Sequence, residues 1–331
     1  MTEGLEAQVA GFRREFFSSA PDVRLHTSGS TGRPKEIRVP KSRMLASARR
    51  TGTFFDFNAG ETSLLCMPLR YIAGRMVCVR AWLYDMPLVC VQPSLHPLAT
   101  LTCAPSVAAM TPAQVYETLR VPHEASLLRQ VRVLLVGGGH VSKALEESLR
   151  SVPGAWSTYG MTETVSHIAL RRLATPAAAS YTLLPGVSVA LDVRGCLTID
   201  DTCLGIKGLA TNDVAELLAD GSFRILGRAD NTVCSGGLKW QLEDLENRLA
   251  ESPLPVQFTA VPDDRLGEAI VLLVEGDAAS HEAASLPPLL SALPQKAKPR
   301  HIFYVTRLPQ TETGKPAREE ARCLAQTLLK S

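Results

Sequence analysis

Several features that would announce a function are missing from this chain. Its eight cysteines (Cys66, Cys78, Cys90, Cys103, Cys196, Cys203, Cys234 and Cys323) form no C-x-x-C pair, and several sit in apolar runs such as Leu64-Leu65-Cys66-Met67. They read as small hydrophobes of a reducing compartment and speak against zinc. Nowhere are there about 18 uninterrupted apolar residues, the length a membrane span needs. The opening Met1-Thr2-Glu3-Gly4-Leu5-Glu6 carries acids where a signal peptide carries bases, so the expectation is a cytoplasmic protein without membrane insertion. Basic blocks are lacking as well. With 35 Lys and Arg against 33 Asp and Glu, the formal net charge of +2 is too mild to argue for nucleic acid. A small-molecule partner is the remaining expectation. The P-loop pattern G-x-x-x-x-G-K-[ST] is absent, because no Ser or Thr follows a Gly-Lys pair. There is no internal repeat, and nothing in the sequence speaks to oligomeric state.

What is present starts with His26-Thr27-Ser28-Gly29-Ser30-Thr31-Gly32-Arg33-Pro34-Lys35, which packs hydroxyls, two glycines and a terminal cation into one short stretch. Glycines let a backbone approach an anion, hydroxyls add donors and a lysine adds a point charge, so the stretch reads as a phosphate-binding loop. A plain surface turn is the alternative.

The 331 residues, 45% apolar and 21% charged, suit a globular protein of about two domains. Apolar runs of strand length at 63–69, 88–91, 107–110 and 131–136 alternate with helix-like stretches at 41–53, 73–83, 112–120 and 142–151. Their lack of polar alternation predicts strands covered on both faces, hence an α/β sheet. Thr111 with Pro112, and Ser142 ahead of Leu145 and Leu149, predict helix starts. From Tyr181 to Ile225 short strands with Gly, Asp and Pro turns predict a β-rich subdomain. Beyond Gly227 a new α+β unit begins, which divides the chain into 1–227 and 228–331.

Further polar motifs lie downstream. Tyr159-Gly160-Met161-Thr162-Glu163 follows a strand end, and Glu163 offers a carboxylate for Mg²⁺ held against phosphate oxygens, although a lone Glu in a loop is often only exposed. Asp213 offers an acceptor for ribose hydroxyls, although Asn212-Asp213 alone is also an ordinary turn. Arg228, Asp230 and the Ser235-Gly236-Gly237 stretch mark the unit boundary, the place for a hinge. Lys315 follows Gly314 on a polar loop.

In this order the motifs resemble the acyl-adenylate-forming superfamily of acyl-CoA synthetases, luciferases and peptide-synthetase adenylation domains, over residues 25–322. The resemblance implies a large N-terminal α/β domain with a β-rich subdomain, shortened at its N-terminus, and a small α+β C-terminal lid. It also implies ATP, Mg²⁺ and CoA. By that resemblance Thr27, Ser28, Gly29, Ser30, Thr31, Gly32 and Lys35 cradle phosphates, with Thr31 and Glu163 near the metal. Tyr159, Gly160, Gly137 and Gly138 lie by the adenine, with a bare strand-to-helix turn as the alternative for the last two. Thr162 faces the α-phosphate, Asp213 and Arg228 serve the nucleotide, Asp230 is the hinge, Ser235, Gly236 and Gly237 line the CoA route, and Lys315 is the mobile catalytic lysine. Three segments, 69–76, 160–169 and 231–237, are similar to the family of o-succinylbenzoate:CoA ligases. That substrate keeps a second carboxylate unreacted, so a pocket cation is expected, and Arg75 with His167 is the candidate pair. Asn212 departs from the usual glycine before the ribose acid. Other readings stay open at this point: another aryl or medium-chain acyl-CoA synthetase, a carrier-protein-loading enzyme, or a nonenzymatic nucleotide binder.

Overall fold

The computed structural model describes residues 4–26, 36–139, 141–175, 180–311 and 316–330. The chain opens with helix α1 (Leu5–Phe16), an antiparallel pair β1 (Asp22–His26) and β2 (Glu36–Pro40), and helix α2 (Lys41–Phe55). The two strands face each other out to His26 and Glu36, so they bracket the predicted phosphate loop.

A seven-stranded sheet follows. Its elements are β3 (Ser63–Leu65), α3 (Ile72–Leu83), β4 (Leu88–Cys90), β5 (Val107–Met110), α4 (Pro112–Arg120), α5 (Pro122–Gln130), β6 (Val133–Val136), α6 (Lys143–Leu149), β7 (Ala155–Gly160), β8 (His167–Arg172) and β9 (Thr182–Leu183). The spatial order is β4-β3-β5-β6-β7-β8-β9, parallel through β7 and antiparallel beyond it. Successive side chains on a strand point to opposite faces. Leu64, Met110, Leu134 and Val136 accordingly join Val115, Leu128, Leu145 and Leu149 of α4, α5 and α6 on one side. Val107, Val133 and Leu135 pack with Phe55 and Ala81 of α2 and α3 on the other. Burial on both faces explains why these strands show no polar alternation. At roughly 1.5–3 kcal/mol for each fully buried aliphatic side chain, a strand such as Val133–Val136 contributes well beyond its four hydrogen-bonding positions. Helix α4 starts as the sequence predicts: Thr111 accepts from the Gln114 amide, Gln114 accepts in return from the Thr111 amide, and Pro112 occupies the first turn.

The β-rich subdomain is an antiparallel sheet of β10 (Val187–Leu191), β11 (Cys196–Asp201), β12 (Ile206–Leu217) and β13 (Phe223–Arg228). The predicted start of this region needs one adjustment, because β9 pairs with β8 and extends the large sheet. Phe223 is fully buried against Ala169 of β8 and Tyr181, which seats the subdomain on the large sheet. A short 3₁₀ turn, Ala229–Asn231, leads into the C-terminal unit: β14 (Thr232–Ser235), β15 (Leu238–Gln241), α7 (Leu242–Arg248), β16 (Val256–Asp263), β17 (Gly267–Glu275), α8 (Leu286–Ser291), β18 (His301–Val305) and α9 (Arg318–Leu328). Its five-stranded sheet carries α7 and α8 over one face and α9 over the other. Among the described residues no helix is long and apolar enough to cross a membrane.

Candidate active site

Residues 27–35 and 312–315 lie outside the described residues, and with them the predicted phosphate-loop positions Thr27, Ser28, Gly29, Ser30, Thr31, Gly32 and Lys35 and the predicted catalytic Lys315. The other predicted positions fall into two clusters.

The first is built where β7 ends. Pairing between β7 and β8 slips at Tyr159 and Gly160, and a Cβ on Gly160 would stand 2.3 Å from the Ser166 carbonyl oxygen, so only glycine fits. The chain then turns through residues 161–166. Thr164 is fully buried and ties this turn: its hydroxyl accepts from the Met161 amide at 3.0 Å and lies 2.8 Å from the Ser166 carbonyl oxygen. Val165 sits at φ 66°, a left-handed conformation costly for a β-branched residue. The knotted turn presents Thr162 half-buried and Glu163 exposed, and Glu163 has no hydrogen bond or ion pair with the described residues. Gly137 and Gly138 follow β6, the strand that pairs with β7. Gly137 has room for no side chain, since a Cβ would meet Thr158 Oγ1 at 2.2 Å.

Asp213 on β12 faces this turn. Tyr159 Oη donates to its Oδ2 at 2.7 Å, and Arg228 Nη1, its cross-strand partner on β13, donates to its Oδ1 at 3.0 Å. Arg228 then forks onto Asp230 through Nε and Nη2 at 2.9 and 2.8 Å. Burial, reinforced by the neighbouring Asp213, pushes the Tyr159 phenol well above its ordinary range, so it stays a donor. Burial pushes the Asp230 carboxyl up, but Arg228 and a hydrogen bond from Asn212 outweigh it and leave it below its usual value. Asn212 itself accepts from Arg194 Nη1 at 3.0 Å, so the departure from glycine is built into the subdomain. A carboxylate has about four acceptor sites, and Asp213 uses two, which leaves room for ribose hydroxyls. Beyond the 3₁₀ turn, Ser235 is buried, and Gly236 and Gly237 take φ of 58° and 78° in the two-residue turn between β14 and β15, which calls for glycine at both positions.

The second cluster holds the expected pair Arg75 and His167. Arg75 does not present a free cation: its Nη1 donates to Glu15 Oε2 at 3.0 Å, its Nε to the Leu69 carbonyl at 2.8 Å, and the guanidinium lies 4.7 Å from the Phe12 ring centroid. Arg80, on the same helix, has no ion pair among the described residues. Five positions along α3 turn the helix by about 140° net, which puts Arg80 on another face. There it is 5% exposed, its Nε donates to the Met76 carbonyl at 3.1 Å, and its buried Nη1 has no acceptor among the described residues. Burial alone pushes its pKa down to about 10, and no carboxylate among the described residues pairs with it. A buried charged donor without a partner costs upwards of about 1–3 kcal/mol, so its retention calls for a reason.

His167, the other predicted acid-side residue, is buried beside it. Its Nε2 lies 3.0 Å from Thr51 Oγ1, and burial, then the charges of Arg80 and Arg50, hold it well below its ordinary pKa, hence neutral. Arg50 on α2 pairs with Asp201 of β11 at 2.7 Å, with side chains 4% and 0% exposed. The sequence signal for Arg80 was available: a single cation inside Met76-Val77-Cys78-Val79-Arg80-Ala81-Trp82 is flanked by residues that must be buried.

Comparison with known proteins now fits this geometry. Residues 20–197, more than half of the chain, match the AMP-binding enzyme family, and the chain belongs to that family. It is 24% identical over 324 residues to a 2-succinylbenzoate–CoA ligase from Listeria monocytogenes serotype 4b, covering 90% of this chain and 69% of that protein. Among solved structures, an acyl-CoA synthetase (AMP-forming)/AMP-acid ligase II-like protein from Dyadobacter fermentans is 32% identical, with 99% of this chain and 95% of that one covered at a TM-score of 0.65. An o-succinylbenzoate CoA synthetase from Bacillus subtilis in complex with its acyl-adenylate intermediate superposes at a TM-score of 0.76, with 20% identity over 90% of this chain and 68% of that one. The class is therefore an adenylate-forming CoA ligase, with large N-terminal and small C-terminal domains.

Proposed function

We propose that the chain is an ATP-dependent acid:CoA ligase whose acid is o-succinylbenzoate. The observation that carries the acid assignment is Arg80, a buried guanidinium with no carboxylate partner among the described residues. A substrate with a second, unreacted carboxylate supplies that partner, and the curated relatives named 2-succinylbenzoate–CoA ligase support the same choice.

In the first half-reaction the aliphatic carboxylate attacks the α-phosphorus of ATP, the bond to the β-phosphate oxygen breaks, and pyrophosphate leaves. In the second the CoA thiol gives up its proton, its sulfur attacks the acyl carbon, and AMP leaves. Neither step needs a protein nucleophile, so the chain's work is positioning and charge. Asp213 takes the ribose hydroxyls on its two remaining acceptor sites, and Tyr159, held as a donor, fixes its orientation. Thr162 sits at the α-phosphate. The phosphate loop from Thr27 to Lys35 cradles the leaving group, and Lys315 bridges attacking carboxylate and α-phosphate.

Among the described residues no group of three or more His, Cys, Asp and Glu side chains forms a metal cage. The exposed Glu163, without an ion pair among the described residues, still suits Mg²⁺, an ion that keeps waters and phosphate oxygens and takes only one or two protein carboxylates. Bound there, the ion supplies charge neutralisation of the phosphates. A boundary at 227/228 makes Asp230 the hinge, and rotation there brings the Ser235-Gly236-Gly237 turn to the pantetheine route.

The test is pyrophosphate release with ATP, Mg²⁺ and o-succinylbenzoate, with and without CoA, for the wild type and Lys315→Ala. Acid-dependent release with a thioester product, lost in the variant, is expected. Release with no acid of an aryl and aliphatic panel overturns the reading.

A further inference from the structure

The acid-side cluster contains more free donors than Arg80 alone. Arg50 spends Nη1 on Asp201, whose other oxygen accepts from the Leu204 amide at 3.1 Å, so the carboxylate locks the guanidinium in place. What remains of Arg50 is the Nε and Nη2 edge, and both atoms are buried without an acceptor among the described residues. These two nitrogens form one side of the planar guanidinium, the fork whose spacing matches the two oxygens of a carboxylate. Ser47, one helical turn before Arg50 and Thr51 on α2, also keeps a buried hydroxyl without a partner. Free donors thus come from α2 and α3, which lie side by side: Tyr84, one turn past Arg80, donates to the Arg49 carbonyl at 3.1 Å, and Thr51, next to Arg50, lies 3.0 Å from His167 Nε2. The pairing agrees: among the described residues these two guanidiniums have one carboxylate partner between them, Asp201 on Arg50. One further carboxylate closes it.

We infer that Arg50 is a second specificity residue of the acid pocket, presenting its Nε/Nη2 edge to the unreacted carboxylate that Arg80 also meets, with Asp201 fixing its orientation. This rests on the ligase reading for the identity of the acid. The arrangement predicts discrimination between acids that differ only in that carboxylate, because an acid without it leaves the fork unpaired.

The experiment compares o-succinylbenzoate with 4-oxo-4-phenylbutanoate, which lacks the ring carboxylate, by calorimetric binding and by thioester formation. Wild type, Arg50→Lys, Arg50→Gln and the double variant Arg50→Gln/Asp201→Asn are compared. The double variant removes both charges of the buried pair and so strands neither, which keeps the test valid if Arg50→Gln alone does not fold. The expected result is at least a tenfold rise in Kd and KM for o-succinylbenzoate in both Gln variants and a smaller rise in Arg50→Lys. Values for the mono-acid stay within about twofold, and kcat barely moves. Equal losses for both acids, or no loss for either, overturn the role of Arg50. If o-succinylbenzoate binds in an Arg50-dependent way but no thioester forms, the inference stands and the ligase reading fails. If it does not bind the wild type, both fail.

Discussion

The two ends of the candidate site are built on opposite principles. At the proposed nucleotide end, Tyr159, Asp213, Arg228 and Asp230 form a chain of bonds in which the guanidinium has carboxylates on two of its edges. At the proposed acid end, Arg80, Arg50 and Ser47 are more deeply buried and keep donors that nothing among the described residues accepts. A satisfied, half-exposed network holds a shape without ligand and contributes modestly to stability. An unsatisfied buried one opposes folding and is relieved by what binds there. On the proposed function, the comparison teaches which end stores specificity: a site that already pairs its charges discriminates little, whereas one short of an anion selects for it.

The largest effect follows from that difference. Arg80→Met should lower kcat/KM for o-succinylbenzoate by roughly 100-fold or more, the loss expected when one partner of a desolvated charge pair is removed. The melting temperature should hold or rise, because a buried charge without a partner is replaced by an apolar chain of similar length. A variant that loses both activity and stability would mean Arg80 is paired in the resting protein, and the contrast between the two ends would collapse. Arg228→Met should behave the other way. It strands Asp213 and Asp230, so melting should fall by a few degrees, with about 1 kcal/mol at stake because the Arg228 side chain is 41% exposed. KM for ATP should rise roughly tenfold, the size of one charge-assisted hydrogen bond. Thermal melts and steady-state kinetics on the two variants check both claims side by side.

The two ends were also unequally legible in the sequence. Tyr159, Asp213, Arg228 and Asp230 are polar residues at strand ends and turns, so the sequence expects them at one site, and the structure joins them in one chain of hydrogen bonds; the helix start at Thr111 and the doubly covered strands were legible too. The acid end is assembled from α2, α3, β8 and β11, elements far apart in sequence. Arg75 and Arg80 lie in one short helix, and only the packing of Phe12 and Glu15 on Arg75 decides which of them is spent. Helix α1 was itself illegible to a reading that began at the phosphate loop, although Leu5, Phe12 and Phe16 recur at helical spacing and are buried. Asp201 gave no signal at all, since an acid at the end of a strand in a β-rich stretch reads as solvent-facing until Arg50 covers it.

His167 sharpens the comparison through pH. Its pKa is depressed in the folded protein, by burial first and then by Arg80 and Arg50, below the ordinary value near 6.5 that it regains on unfolding. As pH falls below about 6.5 the unfolded state binds a proton that the folded state refuses, so the contribution of His167 is intact at neutral pH and is lost progressively on acidification. Wild-type melting should decline from pH 7 to 5, and His167→Asn should flatten part of that slope. Saturating o-succinylbenzoate should flatten it too, because an anion beside the two guanidiniums relieves the field that keeps the imidazole neutral. A slope unchanged in both cases would place the titrating groups elsewhere.

The smallest effect is expected at Arg75. Its guanidinium is held by Glu15, whose Oε1 also accepts from the Arg24 amide on the strand that leads into the phosphate loop. The pair is partly exposed, 15% and 36% by side chain, so Arg75→Ala should cost at most about 1 kcal/mol of stability. The tie through Glu15 runs to β1 and not to the acid pocket, so KM for o-succinylbenzoate should stay within twofold of wild type while KM for ATP rises slightly. Steady-state kinetics with each substrate varied in turn separates the two. Should Arg75→Ala raise the acid KM as Arg80→Met does, both cations would serve one carboxylate, and the division of α3 into a structural face and a substrate face would have to be abandoned.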